Sequence, residues 1–266
     1  MNSVERTKQN LYRYVVAGVL PVFPWKSRLD KDSKKKIEEI KGLVHHQRQD
    51  LSLILYFNHI SIIDPLFAGN IARRIDKRGT RKFIAPMSFS NTEETEENKG
   101  NLLMKNIVEK CGIETHRVIQ SYQIDNPEYG YTKIQAYRQN KPFFQRLKEL
   151  GTQKTPTLLI ISPEGHRTDG AMIKGEEGMV AAGDLLAPCL YVPIGIRYEG
   201  EIEKNGLNLG KRVNLTIGET FLLEPEDNSK SIFGDILMAN LAETLPVEMR
   251  GYYKQSGLVG VPKTRK

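Results

Sequence analysis

Cysteine is scarce in this chain: Cys111 and Cys189 are the only two in 266 residues, and neither belongs to a CxxC pair or stands beside a histidine cluster. That excludes a disulfide framework and a zinc knuckle, and both thiols are expected to be reduced and in the core. Long apolar runs are also missing. With no uninterrupted stretch of about 18 apolar residues, a membrane-spanning helix is not expected. The nearest approach is YVVAGVLPVFPW, Tyr14 to Trp25, which is short, broken by Pro21 and Pro24, and followed by Lys26 and Arg28. Glu5 and the lack of an A-x-A cleavage site make it a poor signal peptide. It is left as a buried helix or as one lying in a membrane surface. No long polar low-complexity tract interrupts the chain, and 39% hydrophobic with 27% charged residues is a globular composition. The length suits one large α/β domain.

What the chain has in excess is positive charge, 39 Lys and Arg against 32 Asp and Glu, a net +7. This favours an anionic partner, and nucleic acid, anionic lipid and a phosphorylated substrate all satisfy it. Residues 3–20 and 31–47 read as helices, the second carrying the basic run KDSKKK ahead of Ile37, Ile40 and Leu43. From Leu51 onward, apolar runs alternate with amphipathic stretches. Strands are expected at LSLILYF, KFIAPM, THRVIQ, TLLIIS, CLYVPIGIRY and VNLTIGE, with helices near 64–75, 93–110, 131–150, 176–187 and 231–249. Such alternation predicts βαβ units and an α/β fold, with a mixed, largely parallel central sheet flanked by helices. Ligands in these folds gather beyond the carboxyl ends of the strands.

Two polar stretches lie at such ends. After LSLILYF comes NHISIIDP, where His59 precedes Asp64 by five residues. It is either a polar turn, with Asn58 starting it and Pro65 opening a helix, or a base and the carboxylate that orients it. After TLLIIS comes SPEGHRTDGAMIKGEEG, which concentrates Glu164, His166, Arg167, Asp169 and Lys174 among the turn formers Pro163, Gly165 and Gly170. Alone it reads as a solvated loop. Following two of the most apolar strands, both are expected to face one crevice.

Together, Asn58, His59, Ser61 and Asp64, then Pro163, Glu164, Gly165 and Arg167, resemble the two signature blocks of the glycerolipid acyltransferase family. The similarity continues through Val192, Pro193 and Ile194 and the strand LTIGE, and covers about residues 50–225. His166 departs from the family's threonine, and Thr168 from its serine. Arg117, in GIETHRVIQ, matches a further block only loosely.

The resemblance implies that His59 deprotonates an acceptor hydroxyl while Asp64 holds the imidazole tautomer, and that the acceptor then attacks a thioester with no acyl-enzyme. It implies that the PEGHRT block binds the acceptor's phosphate, chiefly through Arg167, whose planar fork suits it. Lys174 and Arg117 are second candidates. Glu164 is expected to orient Arg167 or a glycerol hydroxyl, and Gly165 and Pro193 complete the expected substrate-binding set. His45, His46 and His116 have spacings that fit no ligand set and are read as structural or surface residues. A hydrolase using Ser61 or Ser162 is disfavoured, since no G-x-S-x-G elbow is present.

The resulting expectation is an acyl-CoA- or acyl-carrier-protein-dependent O-acyltransferase converting 1-acyl-sn-glycerol-3-phosphate to phosphatidic acid, with no cofactor and no metal. The alternatives are an enzyme acting on glycerol-3-phosphate or another lysolipid, or a non-catalytic module binding anionic lipid or nucleic acid. No nucleic acid is expected as a partner of the enzyme. Residues 1–48 are expected to form a helical, interfacial segment, with the basic run Lys31 to Lys36 on anionic headgroups. Residues 49–266 would form the acyltransferase domain, peripheral on the cytoplasmic face of a membrane.

Overall fold

The run SLILYF has no polar side chain after its first residue, and a strand so composed needs cover on both faces. The computed structural model describes residues 26–77, 79–88, 99–110, 112–203, 208, 210–224 and 230–254. In it this run is β2 (Ser52–Phe57), buried throughout, at the centre of the sheet. β5 (Thr157–Ile161) and β6 (Cys189–Tyr198) flank it, both parallel to it. Beyond β5 come β3 (Lys82–Ser88) and β4 (Glu114–Val118), again parallel. Beyond β6 lies β7 (Arg212–Ile217), antiparallel to it, and then β1 (Lys26–Leu29), parallel to β7. The short β8 (Phe221–Leu223) pairs with the start of β6.

Alternation along β2 sends Leu53 and Leu55 to one face and Ile54 and Tyr56 to the other. The first face is covered by α1 (Lys31–Gly42) and α2 (Asp64–Ile75), whose Ile37, Ile40, Phe67 and Ile71 join that core. α3 (Lys99–Lys110) runs beside β4. The second face is covered by α4 (Lys133–Thr152), α5 (Gly178–Leu186) and α6 (Lys230–Glu243), through Leu147, Met179 and Leu241 among others. This is the expected α/β fold, a mixed, mostly parallel sheet flanked by helices. No described helix is long and apolar enough to cross a membrane.

Several boundaries differ from expectation. The helix expected over 31–47 stops at Gly42 and widens into a π turn, Leu43–Gln47. The one expected over 231–249 ends at Glu243, and Pro246 precedes a 3-10 turn at Val247–Met249. β1 and β8 were not anticipated. Residues 26–48, assigned from sequence to a segment apart from the domain, share its core: Ile37, Ile40 and Val44 are buried with Leu53, and Ser33 Oγ accepts the Ile217 N–H at 2.8 Å. Within the basic run, Lys36 pairs with Glu219 at 2.6 Å, while Lys31, Lys34 and Lys35 are exposed. The helix expected over 3–20, Cys111, and residues 93–98 of the next expected helix lie outside the described residues. Cys189 is a free, buried thiol, raised in pKa by burial.

The register also fixes where β1 begins. Ser27 is paired with Val213, and Val213 with Tyr198 at the end of β6. β1 therefore starts at the carboxyl end of the parallel strands.

Candidate active site

β2 ends at Phe57, and Asn58 completes the sheet with its side chain instead of its backbone. Its Nδ2 donates to Ile196 O at 3.0 Å and its Oδ1 accepts the Ile196 N–H at 2.8 Å. The main chain is thereby free to turn. It returns at Asp64, the first residue of α2, with Pro65 fitting the first turn because the missing N–H is not needed there. Asp64 is 0% exposed and fully engaged. Its Oδ2 accepts the N–H groups of Ile60 and Ser61 at 2.6 and 2.7 Å and the His59 Nδ1 at 3.1 Å. Its Oδ1 accepts the Tyr198 hydroxyl at 2.5 Å. Acting as acceptor, the carboxylate places the proton on Nδ1 and leaves His59 Nε2 as the basic nitrogen. No described residue bonds Nε2, and His59 lines a cleft of about 1020 Å³.

The second loop closes on the first. After β5, Pro163 breaks the strand, and Gly165 turns the chain at φ +75°, a conformation that side chains resist. Glu164, also 0% exposed, accepts the His59 N–H at 2.8 Å on one oxygen and the Ile173 N–H at 3.1 Å on the other. Thr168 N donates to His59 O at 2.8 Å. The His59 backbone is thus held from both sides by the PEGHRT loop. Both Glu164 oxygens accept backbone N–H groups and the side chain is buried, and no hydrogen bond or ion pair joins it to Arg167, which it was expected to orient. Burial pushes its carboxyl up to about 7, outweighing the two N–H donors that favour the charged form.

Arg167 lines the same cleft as His59. No described carboxylate lies within ion-pair distance of it, and burial lowers its pKa, while Tyr122 and Asp64 act on its charge from farther off in the opposite direction. Tyr122 and Tyr129 stand beside it in an edge-to-face pair, and Tyr122 packs against the His166 ring at 4.4 Å. Burial lifts the Tyr122 phenol to about 12. Lys174 is exposed at the cleft, and Gly165 lines it. Ser162 Oγ is buried in the cleft wall with no hydrogen-bond partner. Val108, Ile113, Val118, Phe143, Phe144 and Ile160 give the cleft an apolar stretch of wall.

Two expected binding residues are not brought here. Alternation on β4 turns Val118 into the cleft wall and leaves Arg117 exposed outside it. Pro193 is inside β6 and packs over Gly218, whose N–H donates to Pro193 O at 3.0 Å. Of the other histidines, His45 Nε2 bonds Ile75 O at 2.9 Å, His46 is exposed, and His116 Nε2 meets Glu114 Oε1 at 2.8 Å. Tyr198, Tyr122 and Tyr129 escaped the sequence reading, because each reaches the site by tertiary placement, from β6 or from the loop after β4.

The fold and the site define an α/β protein with an oriented imidazole and an unpaired guanidinium in one cleft at the carboxyl ends of its parallel strands. No protein-family model matches the chain, and no curated protein matches it at a significant level. Among solved structures it is similar to the crystal structure of the 1-acyl-sn-glycerophosphate (LPA) acyltransferase, PlsC, from Thermotoga maritima. The two chains share 16% identity with a TM-score of 0.43, over 92% of this chain and 96% of that one. At that identity and score the likeness carries no weight beside the strands and side chains themselves.

Proposed function

We propose that this protein is an O-acyltransferase that moves a fatty acyl group from a thioester, acyl-CoA or acyl-carrier protein, to the hydroxyl of a lysoglycerophospholipid. The acceptor proposed is 1-acyl-sn-glycerol-3-phosphate, and the product phosphatidic acid. The observation that carries the reading is His59, its Nδ1 held by Asp64 at 3.1 Å, opening on the cleft that also holds the unpaired Arg167. A base at Nε2 takes the acceptor hydroxyl proton as the oxygen attacks the thioester carbon. The tetrahedral intermediate then expels the thiolate, which recovers the proton from the imidazolium. Arg167 suits the acceptor phosphate through paired charge-assisted hydrogen bonds, with Lys174 a second cation near it. The apolar wall suits an acyl chain. The motif resemblance supports the same assignment. Peripheral attachment to the cytoplasmic face of a membrane is part of the proposal and rests on Tyr14 to Trp25 and the exposed lysines of α1.

The test is incubation of purified protein with labelled acyl-CoA and a panel comprising 1-acyl-glycerol-3-phosphate, glycerol-3-phosphate and other lysolipids, with identification of the product. Labelled phosphatidic acid is expected. His59→Ala should lower kcat by at least about a hundredfold and leave acceptor KM near wild type, as loss of a general base does. Near wild-type turnover in a folded His59→Ala protein would refute the mechanism.

A further inference from the structure

Asp64 orients His59 through Oδ2, and its other oxygen is bound as closely. Tyr198, at the end of β6 and 8% exposed, donates to Asp64 Oδ1 at 2.5 Å. The Ser61 hydroxyl bonds the Tyr198 oxygen in turn, and Asn208 Nδ2 donates to Ser61 Oγ at 2.9 Å. The donors therefore run in one direction from Asn208 through Ser61 and Tyr198 to the carboxylate. Asp64 then accepts the His59 N–H on its far oxygen. Hydrogen bonds aligned in this way polarise one another, most of all where water is excluded. Phe67 packs edge to face on the Tyr198 ring at 6.3 Å, fixing the ring independently of its hydroxyl.

From this geometry we infer that Tyr198 is a positioning residue for the base: it sets the basicity of His59 by drawing charge away from the Asp64 carboxylate. A carboxylate that shares its charge with a phenol pulls less on the Nδ1 proton and stabilises the imidazolium less, so His59 gives up its proton at a lower pH than it would otherwise. Other charged or titratable groups facing the pair are Glu164 and Arg167 from the loop after β5, with Tyr122, Tyr129, His166, Lys174, Glu176 and Glu177 around the cleft. Among the described residues only Tyr198 bonds Asp64 Oδ1. The inference rests on His59 being the base of the proposed reaction, and it deepens that reading.

The test is the titration of His59 in the intact protein, followed by NMR of labelled histidine, in wild type and Tyr198→Phe. The variant keeps the ring and its packing and loses the hydroxyl, the donor to Asp64 and the acceptor of the Ser61 hydroxyl. The titration midpoint is expected to rise by about half a pH unit to one unit, and the acid limb of kcat/KM to move with it. An unchanged midpoint overturns the proposal and leaves Tyr198 a merely structural tie. A fluorinated tyrosine at position 198, a stronger donor, keeps the question decidable if Tyr198→Phe fails to fold: it must move the midpoint down, and no movement is again a refutation. Should wild type transfer no acyl group while the midpoint moves as expected, the acyltransferase reading falls and the link between Tyr198 and His59 stands.

Discussion

Arg167 lies half-buried in the cleft wall with no described carboxylate within ion-pair distance, and a guanidinium so placed is ready for an anionic ligand. Arg167→Ala should therefore raise KM for a phosphate-bearing acceptor roughly tenfold or more while changing the acyl-donor KM little. Steady-state kinetics with each substrate varied separately checks this, and equal effects on both would mark a structural arginine. His166, packed on Tyr122, occupies the space beside Arg167, so His166→Thr should change the ranking of acceptors in the same panel. Glu164 carries a different prediction. Its carboxyl is raised from an ordinary 4.5 to about 7, so between those values the folded protein retains a proton that the unfolded chain has released. That contribution to stability is fully present below the unfolded value and is lost as pH rises towards 7. Tm measured across this window by calorimetry should carry a downward slope, and Glu164→Gln should flatten it.

At the scale of elements, the end of β2 is pinned by one amide. Asn58→Ala would leave both the N–H and the C=O of Ile196 without their partner, a loss of about 2–4 kcal/mol that urea unfolding can measure. The strands and most helices were legible because period-2 and period-3.6 patterns are local: Asp64–Ile75 and Cys189–Tyr198 fall where the sequence put them. β1 was not, because four residues, KSRL, carry too little pattern to separate a sheet edge from a basic turn. The site divides in the same way. His59, Asp64 and Arg167 could be read from spacing and resemblance, and the structure brings His59 and Arg167 to one cleft. Glu164 was given the wrong neighbours, since which backbone donors reach a buried carboxylate depends on how two loops a hundred residues apart close on each other. Arg117 and Pro193 were placed by motif order alone, which says nothing of the face a strand residue takes.

For the molecule as a whole, residues 26–48 belong to the fold, so a truncation meant to remove only the apolar segment must stop before β1. Removing residues 1–25 should leave the thermal midpoint and activity on short-chain, soluble substrates close to wild type. Binding to anionic vesicles should weaken, as followed by flotation at low and high salt. Loss of soluble-substrate activity would instead make the segment part of the core. β1 opens at the same end of the sheet as Tyr198, Asp64 and His59. Under the proposed membrane attachment through residues 1–25, it is the reactive end of the molecule, not its back, that adjoins the attachment. For a bound molecule the acceptor's effective concentration is then set by its crowding in the plane beneath and by the length of the attachment, and dilution of the bulk solution ceases to matter.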